Sequence, residues 1–174
     1  MRTFISYDQS PIEIDLESPF LIVADPAALA GLPSVVLPES KNLTHSALVS
    51  SVSKLRSGFR VYVHPIPRFS PGTYRITFAD IIAVDDETPG SSATVDSGSL
   101  VFFDYAKHDA VLKNLSWESY DLGLQDATGV RFDEITRKIG SRCYAIMFGN
   151  ADADGDFGGD GSYALRPSSP KKAG

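Results

Sequence analysis

Residues 93–105 read ATVDSGSLVFFDY, an apolar run interrupted by the polar triplet Asp96-Ser97-Gly98 and closed by Asp104. Val95, Leu100, Val101, Phe102 and Phe103 are β-branched, aliphatic or aromatic, the composition of a strand buried on at least one face. Gly98 permits the sharp turn or bulge that such a strand needs where polar residues break it. The run therefore reads as the central strand of a sheet. Asp104 carries a short acceptor side chain at the strand's end, suited to take the free backbone N–H groups of a following helix. Tyr105, His108, Leu112 and Leu115 then fall at helical spacing, which predicts a helix over 105–114.

On the N-terminal side of that run, strand signals dominate. Residues 2–7 and 11–16 alternate, with Ile12, Ile14 and Leu16 set against Glu13 and Asp15. The segment 18–26 is apolar and ends in Asp25-Pro26, which turns the chain, and 27–30 follow as one helical turn. Residues 34–37, bracketed by Pro33 and Pro38, read as an edge-like segment. Thr44 or Ser46 caps a helix with Leu48, Val52 and Leu55 on one face and Gly58 past its end. Phe59, Val61 and Val63 then alternate with Arg60, Tyr62 and His64. After the turn residues 70–73, Tyr74, Ile76 and Phe78 alternate with Arg75 and Thr77, and the strand is expected to run on through Ile81, Ile82 and Val84. These two stretches are expected to pair antiparallel. The segment 85–93, DDETPGSSA, is a charged, exposed loop.

On the C-terminal side, 131–139 is a helix with Phe132, Ile135 and Ile139 on one stripe, acids early and bases late. Residues 143–148 and 162–165 are expected to form a closing hairpin across a Gly- and Asp-rich loop, and 167–174 a disordered tail. The whole predicts an α+β fold dominated by antiparallel β-sheet, a sandwich or roll, with two or three helices packed on one side, as a single domain over 1–166. A chain of 174 residues, 43% hydrophobic, is long enough for one good core.

The single cysteine forbids an intramolecular disulfide, and the opening MRTFISYDQS lacks the basic and apolar regions of a secretory signal, so a reducing cytoplasm is expected. No apolar run approaches the ~20 residues of a membrane helix. Net charge is −6, but residues 76–130 carry ten acids against two bases, while each flank stands at +1. Nucleic-acid binding requires clustered Lys and Arg and is disfavoured. An acidic field instead steers a basic protein.

The loop 150–160, NADADGDFGGD, spaces oxygen ligands as a calcium loop does, but Gly161 stands where a bidentate Glu is required, so an acidic loop is the better reading and no metal is assigned. His45, His64 and His108 lack paired spacing, and one cysteine makes zinc improbable. His108 and Asp109 point about 100° apart on a helix, which argues against a base oriented by its neighbour. Cys143 reads as a small buried hydrophobe. Ser97 lacks the glycine two residues before it that a nucleophile elbow needs, and the Gly-Gly-Asp-Gly run lacks the lysine of a phosphate loop. An enzyme would have to assemble its site from Asp96, Asp104, Asp160 and His64.

Four islands, LIVADP (21–26), HPIPRFSPGTYRI (64–76), VDSGSLVFFD (95–104) and GGDGSYAL (158–165), resemble an uncharacterised bacterial family of small cytoplasmic β-rich proteins. Its pattern carries Asp-Pro, Pro-Gly-x-Tyr, Val-Asp-x-Gly and Gly-Asp-Gly-x-Tyr elements. Arg75 and Ala164 stand where that pattern has proline. The resemblance implies a fold with structural turns at Asp96, Gly98, Asp160 and Gly161, and it implies no activity, cofactor or catalytic residue. The functional expectation is a non-catalytic protein-binding module without cofactor, of the immunity or inhibitor kind that neutralises a basic partner such as a bacterial toxin. Its contact residues are expected to be Asp85, Asp86, Glu87, Tyr105, Asp109, Trp117, Glu118, Tyr120 and Asp121. The alternatives are a small hydrolase-like enzyme and a calcium- or ligand-binding β module.

Overall fold

In a strand covered on both sides, successive side chains are buried in opposite directions, and β8 (Ser99–Asp104) shows this: Leu100, Val101, Phe102 and Phe103 are each no more than 1% exposed. The computed structural model describes residues 4–5, 12–29, 32, 43–77, 80–95, 99–114, 144–148 and 161–166. Before β8 come β1 (Phe4–Ile5), β2 (Ile12–Leu16), β3 (Phe20–Ala24), α1 (Pro26–Leu29), α2 (His45–Val52), β4 (Tyr62–Pro65), β5 (Gly72–Ile76), β6 (Ile81–Ala83) and β7 (Ala93–Val95). After it come a 3-10 turn (Tyr105–Lys107), α3 (His108–Asn114), β9 (Tyr144–Phe148) and β10 (Gly161–Leu165).

β8 is the middle strand of a five-stranded sheet ordered β1-β9-β8-β3-β4, antiparallel throughout. One face, carrying Phe20, Ile22, Ala24, Val63, Val101 and Phe103, packs against Ala28 and Leu29 of α1, Leu48 and Val52 of α2, and Val111 and Leu112 of α3. The opposite face, with Leu21, Val23, Tyr62, Leu100 and Phe102, packs against a three-stranded sheet β6-β10-β7 and a ribbon β2-β5. The fold is α+β with its helices on one side of the main sheet and further antiparallel strands on the other. A strand buried on both faces needs apolar residues at every position, which explains the continuous LVFF.

The helices begin where short acceptors stand. Thr44 Oγ1 accepts from the Ala47 amide at 3.1 Å at the start of α2, and Asp25 Oδ1 from the Ala27 amide at 2.8 Å at the start of α1. Such a cap contributes about 1 kcal/mol.

Three pairing expectations are corrected. The run 93–105 is not one strand: β7 pairs with β10, whereas β8 pairs with β3 and β9. Its two halves thus serve two packed layers, and 96–98 lie outside the described residues. The alternating stretches 58–64 and 74–84 do not pair with each other, since β4 pairs with β3, β5 with β2 and β6 with β10. The second stretch also splits, because Asp80, 1% exposed, turns its carboxylate back to accept the Thr77 amide at 3.0 Å and its own amide donates to the Thr77 carbonyl at 3.0 Å. β9 and β10 likewise form no hairpin but sit in different sheets. The segments 34–37, 131–139 and 167–174 lie outside the described residues. No helix among the described residues is long and apolar enough to cross a membrane.

Candidate functional site

Between β6 and β7 the chain carries Asp85, Asp86 and Glu87 into Thr88-Pro89-Gly90-Ser91. The Ser91 amide donates to the Thr88 carbonyl at 3.1 Å, and Gly90 has φ of 81°. Proline followed by a positive-φ glycine is the chemistry of a type II turn. Gly90 is buried against α2, and a Cβ there would stand 2.5 Å from Val49 Cγ2. Its carbonyl accepts from the Val63 amide at 3.1 Å, which fastens the turn to the outer edge of β4.

The acids before this turn are ordered by the same backbone. Asp86 Oδ1 accepts from the Thr88 amide at 2.9 Å, and the Asp86 carbonyl accepts from Ser92 Oγ at 2.7 Å. The Thr88 amide, and then its hydroxyl, hold the Asp86 carboxyl below the usual carboxylate range, so it stays charged. Asp85 and Glu87 are exposed.

A cleft of about 340 Å³ opens where this turn meets the end of α2 and the approach to β4, lined by Ser53, Phe59, Arg60, Val61, Glu87, Pro89 and Gly90. Arg60 is anchored there: its amide donates to Thr94 Oγ1 at 3.0 Å, its Nε to Ser92 Oγ at 3.3 Å and one terminal nitrogen to Ser162 Oγ at 2.6 Å. The site thus joins a charged rim to the partly exposed Phe59 and the exposed Pro89, with the Arg60 side chain held by Ser92 and Ser162. Sequence reading found the rim and missed Arg60. The signal was present, since Arg60 alternates in phase with Tyr62 and His64, both of which turn inward.

A second polar network lies inside the sheet layers. His64, 9% exposed, places Nδ1 2.7 Å from Tyr62 Oη and Nε2 3.3 Å from Tyr74 Oη, while Tyr62 Oη donates to the Leu165 carbonyl at 3.3 Å. Each hydroxyl has one proton, so all three contacts are satisfied together when Tyr74 donates to Nε2 and Nδ1–H donates to Tyr62. Burial, and secondarily the charge of His45, pushes the His64 imidazole down to about 4, and burial pushes Tyr62 up to about 12. His64 is therefore neutral.

Asp104 does not meet His64. Both register with Leu21, on opposite sides of β3, and so stand two strand spacings, roughly 10 Å, apart. The Asp104 carboxylate takes the Glu17 amide at 2.7 Å, the Ser18 amide at 3.2 Å, Ser18 Oγ at 2.6 Å and the Ala106 amide at 3.2 Å. It caps the 3-10 turn, as its position after the apolar run implied, and also ties that turn to the entry of β3. Burial raises its carboxyl despite these bonds.

Of the other expected site residues, Tyr105 is corrected. It is fully buried in the helical layer, stacked on His108 with ring centroids 4.4 Å apart, and offers no exposed anchor. Its position continues the inward parity of Val101 and Phe103, which a helix reading from residue 105 obscures. His108 Nδ1 lies 2.7 Å from the Tyr105 carbonyl, and Asp109 forms an ion pair with Lys113 at 3.0 Å. Gly161 opens β10 opposite Val95 with φ of 143°. Asp96, Gly98, Trp117, Glu118, Tyr120, Asp121, Asp160 and the rest of the loop 150–160 lie outside the described residues. Among the described residues no cluster of His, Cys, Asp or Glu is arranged to hold a metal.

No family model, no curated protein and no solved structure matches the chain.

Proposed function

We propose that the protein is a non-catalytic binding module whose acidic turn at 85–87, with the cleft beside it, recognises a basic protein. An immunity or inhibitor protein that neutralises a toxin is the kind of molecule this describes. The observation that carries the reading is that Glu87 belongs at once to the charged turn and to the lining of the cleft. Charge on the turn attracts a basic partner and sets the rate of encounter, while the cleft offers Phe59 and Pro89 as apolar contact area. Ordering of the turn by Gly90 and Asp86 lowers the entropy lost on binding. By contrast, His64 is engaged by Tyr62 and Tyr74, and Asp104 by Glu17, Ser18 and Ala106, inside the fold, which favours a structural role for both.

The test is co-purification with the product of the adjacent gene, measured for the wild type and for Asp85→Ser/Asp86→Ser/Glu87→Ser. Binding that weakens in the triple variant, and that falls as salt screens charges over a Debye length of ~8 to 10 Å, is the expected result. Equal binding by both proteins, indifferent to salt, overturns the assignment to this face.

A further inference from the structure

We infer that the proline-rich turn at 65–71 forms a second arm of the partner-binding face, with Arg68 taking a carboxylate of the same protein that the acidic turn attracts. This rests on the proposed function and extends that face past the end of β4 to a group of the opposite charge.

The inference begins with the backbone of Arg68. Its φ is 52°, and it is the one non-glycine residue with positive φ among the described residues. Pro67 and Arg68 are the central pair of a turn. A proline followed by positive φ is the arrangement of a type II turn, which favours glycine at the second central position because a side chain there is strained. The chain uses glycine in its Pro89-Gly90 turn. At 67–68 it carries arginine instead, a long charged side chain in a conformation that glycine adopts freely. Strain of this kind persists where the surrounding structure fixes it, and it concentrates at binding sites. Here the Ile66 amide donates to the Pro19 carbonyl at 2.8 Å, and Ile66 and Phe69, on either side of the central pair, are partly buried against the core.

The Arg68 side chain does nothing inside the fold to offset that strain. Arg56 and Arg60 donate to the Ala27 carbonyl and to Ser92 and Ser162, while Arg75, Lys107 and Lys113 are ion-paired. Arg68 is exposed and makes no such contact among the described residues. Pro65, Pro67 and Pro71 are exposed as well and lock their own φ angles. A rigid ridge with a cation at its tip loses little freedom on binding. Residues 64–76 contain no acid, so the complement of this ridge is a carboxylate. The acidic turn lies within reach of the same partner: the Gly90 carbonyl is bonded to the Val63 amide at 3.1 Å, and the five residues from Val63 to Arg68 span at most about 17 Å. A standard interface covers about 800 Å² on each partner, roughly 30 Å across, which takes in both.

The test uses the intact protein and the product of the adjacent gene, with affinity read by titration calorimetry for the wild type, Arg68→Gln, Arg68→Gly and the triple serine variant at 85–87. Arg68→Gln keeps the Cβ and removes the charge, and it is expected to weaken binding about tenfold, the scale of one charge-assisted pair. Arg68→Gly should weaken it as much, while the free protein melts no lower than the wild type, because glycine accepts φ of 52° and the side chain it replaces has no partner in the fold. Undiminished binding by Arg68→Gln overturns the inference. So does a melting temperature that falls by several degrees in Arg68→Gly, which would give the guanidinium a structural role. The proposed function fails separately: equal binding by the 85–87 variant removes the acidic turn from the interface, whereas a weakened 85–87 variant beside an unchanged Arg68→Gln sinks only the second arm. No binding by the wild type overturns both.

Discussion

At the scale of single residues, the buried polar groups make sharp demands. His64 titrates at about 4 in the folded protein, below the 6.5 of a free imidazole. A depressed histidine stabilises the fold above its unfolded value and loses that contribution as pH falls, so the window runs from about 6.5 down to about 4. Stability is expected to drop by up to about 3 kcal/mol across it, and His64→Gln should flatten that part of the curve; an unchanged midpoint in urea titrations at pH 7, 5.5 and 4.5 would refute the burial of a neutral ring. Asp104 makes a different demand, because its four donors cannot all be met by an amide, whose Nδ2 is itself a donor. Asp104→Asn should therefore cost about 1 to 3 kcal/mol at neutral pH, and Ser18→Ala a smaller part of it, both read from denaturant midpoints.

At the scale of elements, alternation revealed most strands but not their partners. Ile12, Ile14 and Leu16 announce β2, and Tyr74 and Ile76 announce β5, yet nothing local says that these two meet. Residues 59–65 offered the same limit: the period of two is a property of one strand, whereas pairing depends on which chains cover the open edges. Caps were legible because Thr44 and Asp104 act within three residues of themselves. The acidic turn was legible as charge, but its cleft was not, since α2, Arg60 and Pro89 converge only in three dimensions. That convergence is testable through Gly90. Gly90→Ala combines a positive φ with a Cβ 2.5 Å from Val49 Cγ2, and a loss of about 1 to 3 kcal/mol is expected. Adding Val49→Ala should recover the steric share and leave the backbone share. A fully additive pair would show that the turn does not press on α2.

At the scale of the molecule, the order of strands is strongly non-local, with Phe4 opposite Phe148 and Ile81 opposite Leu165. The last described strand closes the layer that backs the main sheet: β10 is the middle strand between β6 and β7, and it buries Tyr163 at 1% and Leu165 at 7% exposure. Its backbone also holds the neighbours, for Ser162 accepts the Val84 amide at 2.9 Å and Asp80 the Arg166 amide at 2.8 Å. Ser162 Oγ is in turn one of the two hydroxyls that hold the Arg60 guanidinium, so the cleft depends on a strand a hundred residues away in sequence. Ending the chain after residue 160 should remove the layer's central strand, orphan β6 and β7, and abolish the cooperative melting transition. Tyr163→Ala is the graded counterpart: deletion of a buried aromatic costs about 3 to 5 kcal/mol, so the transition should persist at a lower temperature with its cooperativity intact. If the chain ending at residue 160 melted as sharply as the full one, β10 would be an ornament on a self-sufficient core, and the coupling between that strand and the Arg60 cleft would fall with it.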